Sequence, residues 1–362
     1  MQRVNVILVA TVVLVAALVL STPSGWAGPG TQGSQILDLG GGTRATALGD
    51  AFTAVDGDVT SALWNPSGLG IIQERQVAIS YKNQGDIFGE AGEGLYYAFF
   101  AGAMPIGDAG ILGATLQLEG QGTILVTTDS PNPIREENLG TNWVLTFSYA
   151  DQLTERLSAG MNGKIIRLKL GQESGGAYAV DFGLQYDLLN AFVPIKVGAA
   201  LQNWGTRLHF IDENQSDPLP RKFKFGTAVV LYEETNHRVS LIGDLTASIH
   251  KLIEAEEEIE RHLTEHPDQT RSDVLSDRGV GIRAFEWRHL RKSIGVEYWL
   301  GKLLALRVGY KTEPGIELLN FSDHLTYGLG VRLLDYQFDY AVEVPRGPEG
   351  KRLNVFELML RF

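Results

Sequence analysis

The sequence contains no cysteine among its 362 residues. This absence excludes a disulfide framework and any thiol or cysteine–metal chemistry, so packing and hydrogen bonding must stabilise the fold. The sequence also lacks a basic stretch. Acidic residues predominate, with 43 Asp and Glu residues against 31 Lys and Arg residues, and the net charge is −12. The sequence has no aromatic RNA-binding motif either, and a nucleic-acid partner is therefore not expected.

Long hydrophobic runs are confined to the N-terminus. An apolar run from Val6 to Leu20 follows the positive Arg3, and a small, polar stretch then ends at Ala27. This order is typical of a cleaved secretory signal peptide, predicted here over residues 1–27. The alternative is a retained membrane helix, which is less favoured because the run is shorter than the roughly 20 apolar residues that span a bilayer.

Downstream of this run no apolar stretch reaches the length of a spanning helix, so a chain that enters a bilayer must do so as a closed barrel. From Arg75 onward the sequence instead alternates apolar and polar residues in short segments separated by Gly, Asp, Asn or Pro. Residues 279–287 could extend the next strand or form a hairpin of their own, and the hairpin would change the strand count by two. The fourteen predicted strands lie at 76–82, 94–104, 109–118, 141–150, 157–168, 177–187, 194–202, 222–231, 238–247, 293–300, 303–311, 325–332, 336–343 and 354–362.

Charge keeps to one face of these segments. Tyr336 and Phe338 alternate with Asp339, and similar alternation places Arg307 and Arg332 opposite apolar side chains. A soluble sandwich also alternates, but the many Gly and Ala residues beside the charges favour a crowded polar lumen. The predicted fold is therefore an all-β, 14-stranded antiparallel transmembrane outer-membrane β-barrel over residues 75–362, with Arg307, Arg332 and Asp339 as candidate luminal charges.

Connection lengths predict the orientation of such a barrel. An even strand count places both termini on one side, and the short turns are expected to face the periplasm. Those short turns are predicted at 106–108, 151–156, 301–302 and 335. The longer loops, expected outside the cell, are predicted at 127–140, 203–221 and 312–323.

The run at about 249–266 is the exception to the strand pattern. Its apolar residues recur with helical spacing opposite a dense acidic face, and Pro267 ends it. We predict a helical loop insertion, which could bind a partner or gate the barrel. The alternative is a solvated insertion on the barrel rim, which is favoured.

Residues 28–74 are predicted to form an N-terminal plug, because the stretch from Gly40 to Gly70 is rich in Gly and Ala and lacks strand alternation. Pro66 should force Asn65 out of the helical region and create a rigid corner, while Gly68 should permit a chain reversal. The charged residues of the plug are candidates for pairing with the luminal charges; the alternative is that they are solvated at the surface. These plug charges are Arg44, Asp50, Asp56 and Asp58.

The stretch from Arg44 to Val55, which includes Gly49, and the later Trp64–Leu69 resemble the FadL-type outer-membrane proteins and, more closely, their PorV/PorQ relatives. The chain departs from that pattern at Leu48, Asp50 and Ser67. The C-terminal strands are also similar, so the resemblance covers most of the chain. It implies a fourteen-strand barrel with an N-terminal hatch.

The resemblance implies one of two functions. Likeness to PorV implies an accessory or cargo-handling role in type IX-like protein secretion, with secretion-system proteins as partners; this interpretation is favoured slightly. Likeness to FadL implies passive transport of a hydrophobic small-molecule ligand, such as a fatty acid or hydrocarbon. Outer-membrane lipid and the barrel-assembly machinery are expected partners in both cases, because the last strand resembles an assembly signal formed by Phe356, Leu358, Leu360 and Phe362.

Enzymatic readings of the sequence are weak. Ser322, Asp323 and His324 offer triad residue types, but adjacent residues rarely adopt triad geometry. His262 and His266 lie four residues apart on the acidic run, where a solvated helix face is the simpler interpretation. Gly40–Gly42 lacks the flanking features of a phosphate loop. We therefore predict no catalytic residue, no metal site and no cofactor.

Overall fold

The computed structural model describes residues 34–85, 92–126, 135–171, 173–188, 193–208, 210, 217–249, 263–264, 290–312, 325–343 and 352–362. Several sequence-based predictions fall outside these ranges. They are the signal peptide at 1–27, nearly all of the helix at 249–266, the alternative hairpin at 279–287, and the side chains of His262, His266, Ser322, Asp323 and His324.

Fourteen of the described strands close into one antiparallel barrel, and each of them overlaps one predicted segment, so the predicted fold class is confirmed. The barrel closes where the first strand pairs with the last, with Ile79 opposite Leu358. In chain order the barrel strands are β1 (Gln76–Asn83), β2 (Leu95–Pro105), β3 (Ile111–Gln121), β6 (Thr141–Gln152), β7 (Leu157–Leu170), β8 (Glu173–Leu188), β9 (Ile195–Gly205), β10 (Lys222–Glu234), β11 (His237–Ser248), β12 (Arg291–Leu300), β13 (Leu304–Lys311), β14 (Leu325–Leu333), β15 (Tyr336–Glu343) and β16 (Leu353–Arg361).

Two further strands, β4 (Thr123–Val126) and β5 (Arg135–Asn138), pair with each other and not with the barrel. β5 lies within the loop predicted at 127–140, and β4 lies just before it. Gly122 turns the chain with φ 75° directly before β4, where the β-branched Thr123 and Ile124 favour an extended conformation.

Connections of different length lie at the two ends of the barrel. Short connections join strands at one end, hereafter the short-turn end, where β1 also begins and β16 also ends. The long connections at 206–221, 249–290 and 312–324 lie at the opposite, long-loop end. One departure is the β7–β8 connection at 171–172, which is short although it lies at the long-loop end.

The barrel turns its apolar side chains outward. Tyr336 is 56% exposed and Phe338 is 48% exposed, whereas Asp339, the next residue after Phe338, is 0% exposed. A water-soluble sandwich would bury the aromatic residues and expose the carboxylate, so this arrangement matches a lipid-facing wall around a polar lumen. Within the described ranges, no helix is both long enough and apolar enough to cross a membrane.

Part of the plug fills the lumen with short helical turns. A single α-helical turn, α1 (Thr43–Ala47), lies against β13 to β16, and the 3₁₀ helix Pro66–Leu69 lies against β6 to β8. Two more 3₁₀ helices cover Gln35–Leu37 and Val59–Leu63. These turns are short and connected by bends, and six of their side chains form a small buried apolar cluster with Ile242 of the wall: Ala45, Leu48, Ala51, Phe52, Val55 and Trp64.

Candidate functional site: the plugged lumen

The plug rests on glycines of the barrel wall. Seven strands each turn one glycine inward against the plug, in places where any side chain would collide with it. We call this set the glycine belt: Gly160, Gly183, Gly198, Gly226, Gly295, Gly309 and Gly328.

Gly309 shows why these positions need glycine. A Cβ atom at Gly309 would lie 2.1 Å from the backbone nitrogen of Gly49 and 2.2 Å from the carbonyl carbon of Leu48. Gly49 and Asp50 themselves have positive φ values of 66° and 65°, which turn the chain sharply after α1 and bring the plug backbone against β13. The wall and plug backbones therefore approach as closely as two chains can.

Polar side chains of the wall hydrogen-bond to the plug backbone. One carboxylate oxygen of Asp244 accepts from the backbone N–H groups of Phe52 and Thr53, each at 2.8 Å, and from the Thr53 hydroxyl at 2.7 Å. Gln185 donates to the carbonyl groups of Thr53 and Val55. These bonds matter because a buried backbone group without a partner costs about 1–3 kcal/mol.

A chain of buried ion pairs joins the plug to β12, β13 and β15. Arg44 Nη2 lies 2.7 Å from Glu297 Oε1, and the other oxygen of Glu297 lies 2.7 Å from Arg307 Nε. Arg307 in turn pairs with Asp339, and both side chains are completely buried. Arg44 also lies 3.3 Å from Asp58 within the plug. Although burial lowers the pKa of Arg44, the attraction of Glu297 and Asp58 outweighs it and raises that pKa above its ordinary value.

Plug charges thus pair with charges of the wall, but among the described residues none of them pairs with the named candidates Arg307, Arg332 and Asp339. Asp50 pairs with Lys311 at 2.8 Å, and Asp56 pairs with Lys196. The sequence did not identify either wall lysine as a partner. The position of a charged residue in a strand shows which face of the wall it lies on, but it does not show which plug residue lies at the same height in the lumen.

Arg332 does not pair with a plug charge. Its Nη2 donates instead to the side-chain oxygen of Gln337 at 2.7 Å. The expectation that Arg332 takes a carboxylate partner from the plug is therefore wrong. The reason is position, since Arg332 lies near the end of β14, beyond the carboxylates that approach Arg44 and Arg307.

The corner at Asn65 and Pro66 has the predicted geometry. Asn65 is extended at φ −154°, and its side-chain oxygen accepts from the backbone N–H of Ser67. Gly68 lies inside the Pro66–Leu69 turn, and its φ is not positive, so the backbone conformation alone does not require glycine there. A Cβ atom at Gly68 would lie 2.7 Å from the Val55 carbonyl oxygen, so close packing is what requires glycine there.

The half of the lumen toward the long-loop end is lined differently. Strands β2, β6, β7 and β8 turn apolar side chains inward, and apolar residues of the plug and of the β9–β10 connection cover them. The part of a larger buried apolar cluster that lies toward this end is hereafter the long-loop apolar cluster. It consists of Tyr97, Phe99, Val144, Ile166, Leu168, Ala177 and Ala179 of the wall, with Ile36, Leu37, Leu39, Leu208, Phe210 and Leu219 over them.

At the short-turn end two cavities adjoin the plug. One, of about 420 Å³, has apolar walls at Val55, Ile71 and Ile242. The other, of about 380 Å³, opens among several arginines. The two cavities share Arg44 and Trp299 in their linings, among other residues, and are therefore contiguous.

The residues of the predicted assembly signal face outward on the last strand. Phe356, Leu358 and Phe362 are exposed on the apolar outer surface, and Leu360 lies on the same face. Sequence reasoning missed Asp244, Glu297 and the glycine belt as plug contacts. The sequence did contain a signal for the glycine belt. In strand after strand, the alternation places one glycine on the polar face, which is the inward face.

The class of protein that these features define is a 14-stranded antiparallel transmembrane barrel with a filled lumen. Among solved structures, the chain is similar to the toluene transporter TbuX of Ralstonia pickettii, with a TM-score of 0.51 and 15% identity over 89% of this chain and 98% of that chain. At this identity the likeness shows a shared fold.

Two other solved structures are also similar. They are a FadL homologue of Pseudomonas aeruginosa, with a TM-score of 0.46 and 12% identity over 94% of this chain and 99% of that chain, and the toluene transporter TodX of P. putida, with 0.48 and 11% over 89% and 99%. No protein-family model and no curated protein sequence matches the chain. These comparisons do not confirm the resemblance to the PorV/PorQ proteins.

Proposed function

We propose that this protein is a non-enzymatic outer-membrane channel for the passive transport of apolar small molecules, with residues 28–74 as its hatch. The proposal includes export by the signal peptide at 1–27 and insertion by the barrel-assembly machinery through the last strand. The short turns would then face the periplasm and the long-loop end would face outside the cell.

The observation that carries the proposal is the long-loop apolar cluster. A barrel that only needed to close its lumen could line it with polar side chains throughout, as it does around Arg44 and Asp244. Here the wall instead offers an apolar surface toward the expected outside, formed in part by Phe99 and Ile166. A site for an apolar ligand requires such a lining.

The plug covers this lining with contacts that an apolar ligand could replace. Ile36 is 0% exposed and packs on the wall through apolar contacts alone. An apolar molecule that displaces the Ile36 side chain would restore the buried apolar surface. The similarity in fold to TbuX, a toluene transporter, supports this interpretation.

A reversible crosslink tests whether the hatch must move. The hydroxyl oxygens of Thr43 in α1 and Ser80 in β1 lie 3.4 Å apart, and the chain has no other thiol to compete with an introduced pair. We expect the double variant Thr43→Cys/Ser80→Cys to lose uptake of radiolabelled toluene when oxidised and to recover it when reduced. The measurement uses host cells that lack other channels of this kind.

The single variant Thr43→Cys is the matched control, because it cannot form the crosslink. Uptake that stays above the level of channel-free cells after complete crosslinking would rule out a moving hatch. Uptake equal to that of channel-free cells in the reduced variant and in the unmodified protein would rule out the transport function itself.

A second candidate is the accessory role in protein secretion that the PorV/PorQ resemblance implies. The specific observation in its favour is the ion-pair chain from Arg44 to Asp339, which closes the lumen with buried charges rather than with a displaceable apolar contact. Its test is co-purification from the native membrane: stable recovery of secretion-system proteins would favour it over transport.

A further inference from the structure

Three cationic side chains face outward from the barrel wall at its long-loop end. On the outward face of β7, Ile165 is the last apolar residue, and the exposed Arg167 and Lys169 follow it. Arg221 directly precedes β10 and, by strand alternation, shares the outward face with Phe223. We call Arg167, Lys169 and Arg221 the outward cations. They lie where the apolar band of the wall ends.

Glycines of the wall provide space for two of the outward cations. A Cβ atom at Gly176 of β8 would overlap Nη1 of Arg167, so the guanidinium group occupies the space above that glycine. A Cβ atom at Gly140 would likewise collide with Cδ of Lys169. Both side chains therefore lie along the outer surface of the wall, at the level where lipid headgroups meet the protein.

Arg221 lies against an aromatic ring. Its guanidinium carbon is 5.1 Å from the centre of the exposed Trp204 ring, and its Nη2 donates to the Gly205 carbonyl oxygen at 3.1 Å. Its buried Nε has no hydrogen-bond partner among the described residues. Trp143 of β6 stands opposite Arg167 in the neighbouring strand pair. Because tryptophan is enriched at the headgroup level of membrane proteins, the outward cations belong to that layer.

The outward cations lack carboxylate partners. None of the ion pairs among the described residues includes one of them, whereas Lys164 and Lys222, which face inward on β7 and β10, pair with Asp181 and Asp38. A guanidinium group has five N–H donors in a fork that matches two oxygens of a phosphate. Like charges that lie near each other also repel, and a bound anion would relieve this repulsion. The outward cations therefore have unused capacity to bind a phosphate.

The positive charge is confined to one side of the barrel. At the same end of β1 to β3, the outward face of the described residues carries no charged side chain, and Tyr81 and Tyr96 stack there with ring centres 6.2 Å apart. A belt that only fixes the height of the barrel in the bilayer would be needed on all sides. A patch restricted to β7–β10 is instead the arrangement expected for a ligand with a defined position.

We propose that the outward cations bind the phosphate groups of a membrane lipid, whose acyl chains lie on the apolar wall below them. With the orientation proposed above, this leaflet faces outside the cell, and the lipid is a phosphorylated glycolipid of the lipid A type. Charge complementarity supports this occupant, because arginine pairs with phosphate through two parallel hydrogen bonds and basic clusters at the bilayer surface attract anionic lipids. The proposal goes beyond transport and does not depend on what the lumen carries.

Native mass spectrometry of the purified, delipidated barrel tests the proposal. The barrel is titrated with diphosphoryl lipid A and with the same lipid after removal of both phosphates. We expect the phosphorylated lipid to bind about tenfold more tightly, the contribution of one or two basic residues at a bilayer surface. In the double variant Arg167→Gln/Arg221→Gln this preference should nearly disappear, while binding of the phosphate-free lipid stays unchanged.

The matched control is Arg156→Gln/Lys302→Gln, which removes two positive charges from turns at the opposite end of the barrel. It should keep the full preference for the phosphorylated lipid. The variant Arg167→Lys/Arg221→Lys, which keeps both charges but loses the forked donors, should retain part of the preference. Folding of every variant is checked by the mobility difference between unheated and boiled samples on a detergent gel.

Four results would overturn the proposal. They are equal affinity for the two lipids, a preference that survives Arg167→Gln/Arg221→Gln, an equal loss of preference in the control variant, and displacement of the lipid by inorganic phosphate at the same concentration. The third result would show a general effect of net charge, and the fourth would show a simple anion site. Toluene uptake is measured separately, so failure of lipid binding is distinguishable from failure of the transport function.

Discussion

Two parts of the plug are held against the wall by different forces. Residues 43–72 rest on the glycine belt, accept hydrogen bonds from Gln185 and carry the ion pair between Arg44 and Glu297. Residues 34–39 pack mainly through apolar contacts in the long-loop apolar cluster, with one ion pair between Asp38 and Lys222.

This difference has a physical consequence. Hydrogen bonds and backbone contacts are directional, so residues 43–72 have one well-defined position on the wall, and moving them leaves buried polar groups unpaired. Apolar contacts are not directional, so another apolar surface could take the place of Ile36. Residues 43–72 are therefore held more firmly than residues 34–39, and residues 34–39 are the part that a ligand could displace more easily.

The largest expected effect comes from a side chain in the glycine belt. Gly309→Val would place a Cβ atom within 2.2 Å of the plug backbone, where only movement of the plug can relieve the clash. We expect protease cleavage within residues 34–72 to accelerate by about two orders of magnitude, because local opening by roughly 3 kcal/mol has that effect on the exposed population. Gly163→Val is the matched control, since a Cβ there meets nothing within 4 Å. Equal rates of cleavage in the two variants would show that the glycine belt does not hold the plug against the wall.

The next effect concerns the ion-pair chain. Arg307→Met leaves Glu297 and Asp339 without their shared partner and should destabilise the folded barrel by about 3–5 kcal/mol. Arg44→Met should destabilise the barrel less, because Glu297 would still pair with Arg307, whose Nε lies 2.7 Å from its carboxylate. The midpoints of urea unfolding in lipid measure both changes. An equal loss of stability in the two variants would mean that Glu297 depends on Arg44 of the plug as much as on Arg307 of the wall.

A cavity at the tip of the plug should act locally. Ile36→Ala removes apolar atoms from a fully buried position and should weaken the hold on residues 34–39 by about 2–4 kcal/mol. Hydrogen exchange should then increase for residues 34–39 and stay unchanged for residues 43–72. Loss of protection in both parts would contradict the division between them.

The smallest expected effect concerns a single hydrogen bond. The Thr326 hydroxyl donates to the Ala47 carbonyl oxygen at 3.2 Å, and Thr326→Val removes it with little change of shape. We expect a loss of about 1 kcal/mol, measured by hydrogen exchange in α1. No measurable change would indicate that the close backbone contacts alone hold α1.

Much of the barrel was predictable because its signal is local. Side chains alternate with a period of two along every strand, so Phe338 and Asp339 reveal their faces from sequence position alone. The strands β4 and β5 were not predicted because they are short and pair only with each other. The corner at Asn65 and Pro66 was also predictable, since it depends on residues adjacent in the chain.

The contacts between plug and wall were not predictable in the same way. Asp50 and Lys311 are separated by 261 positions, and the partner of each charge depends on the height at which the plug enters the lumen. The close packing of Gly68 was not predictable either, because the atom it approaches is the carbonyl oxygen of Val55, which lies in another part of the plug.

The sequence by itself therefore determined the strands, their order around the wall and the side of the wall on which each residue lies, because these follow from a two-residue period and from turn residues. Only the tertiary structure decided which wall glycines meet the plug, which charges pair across the lumen, and that Arg332 donates to Gln337 rather than to a plug carboxylate. Those facts depend on how two distant parts of the chain are placed in space, and a periodic pattern along one strand carries no record of that placement.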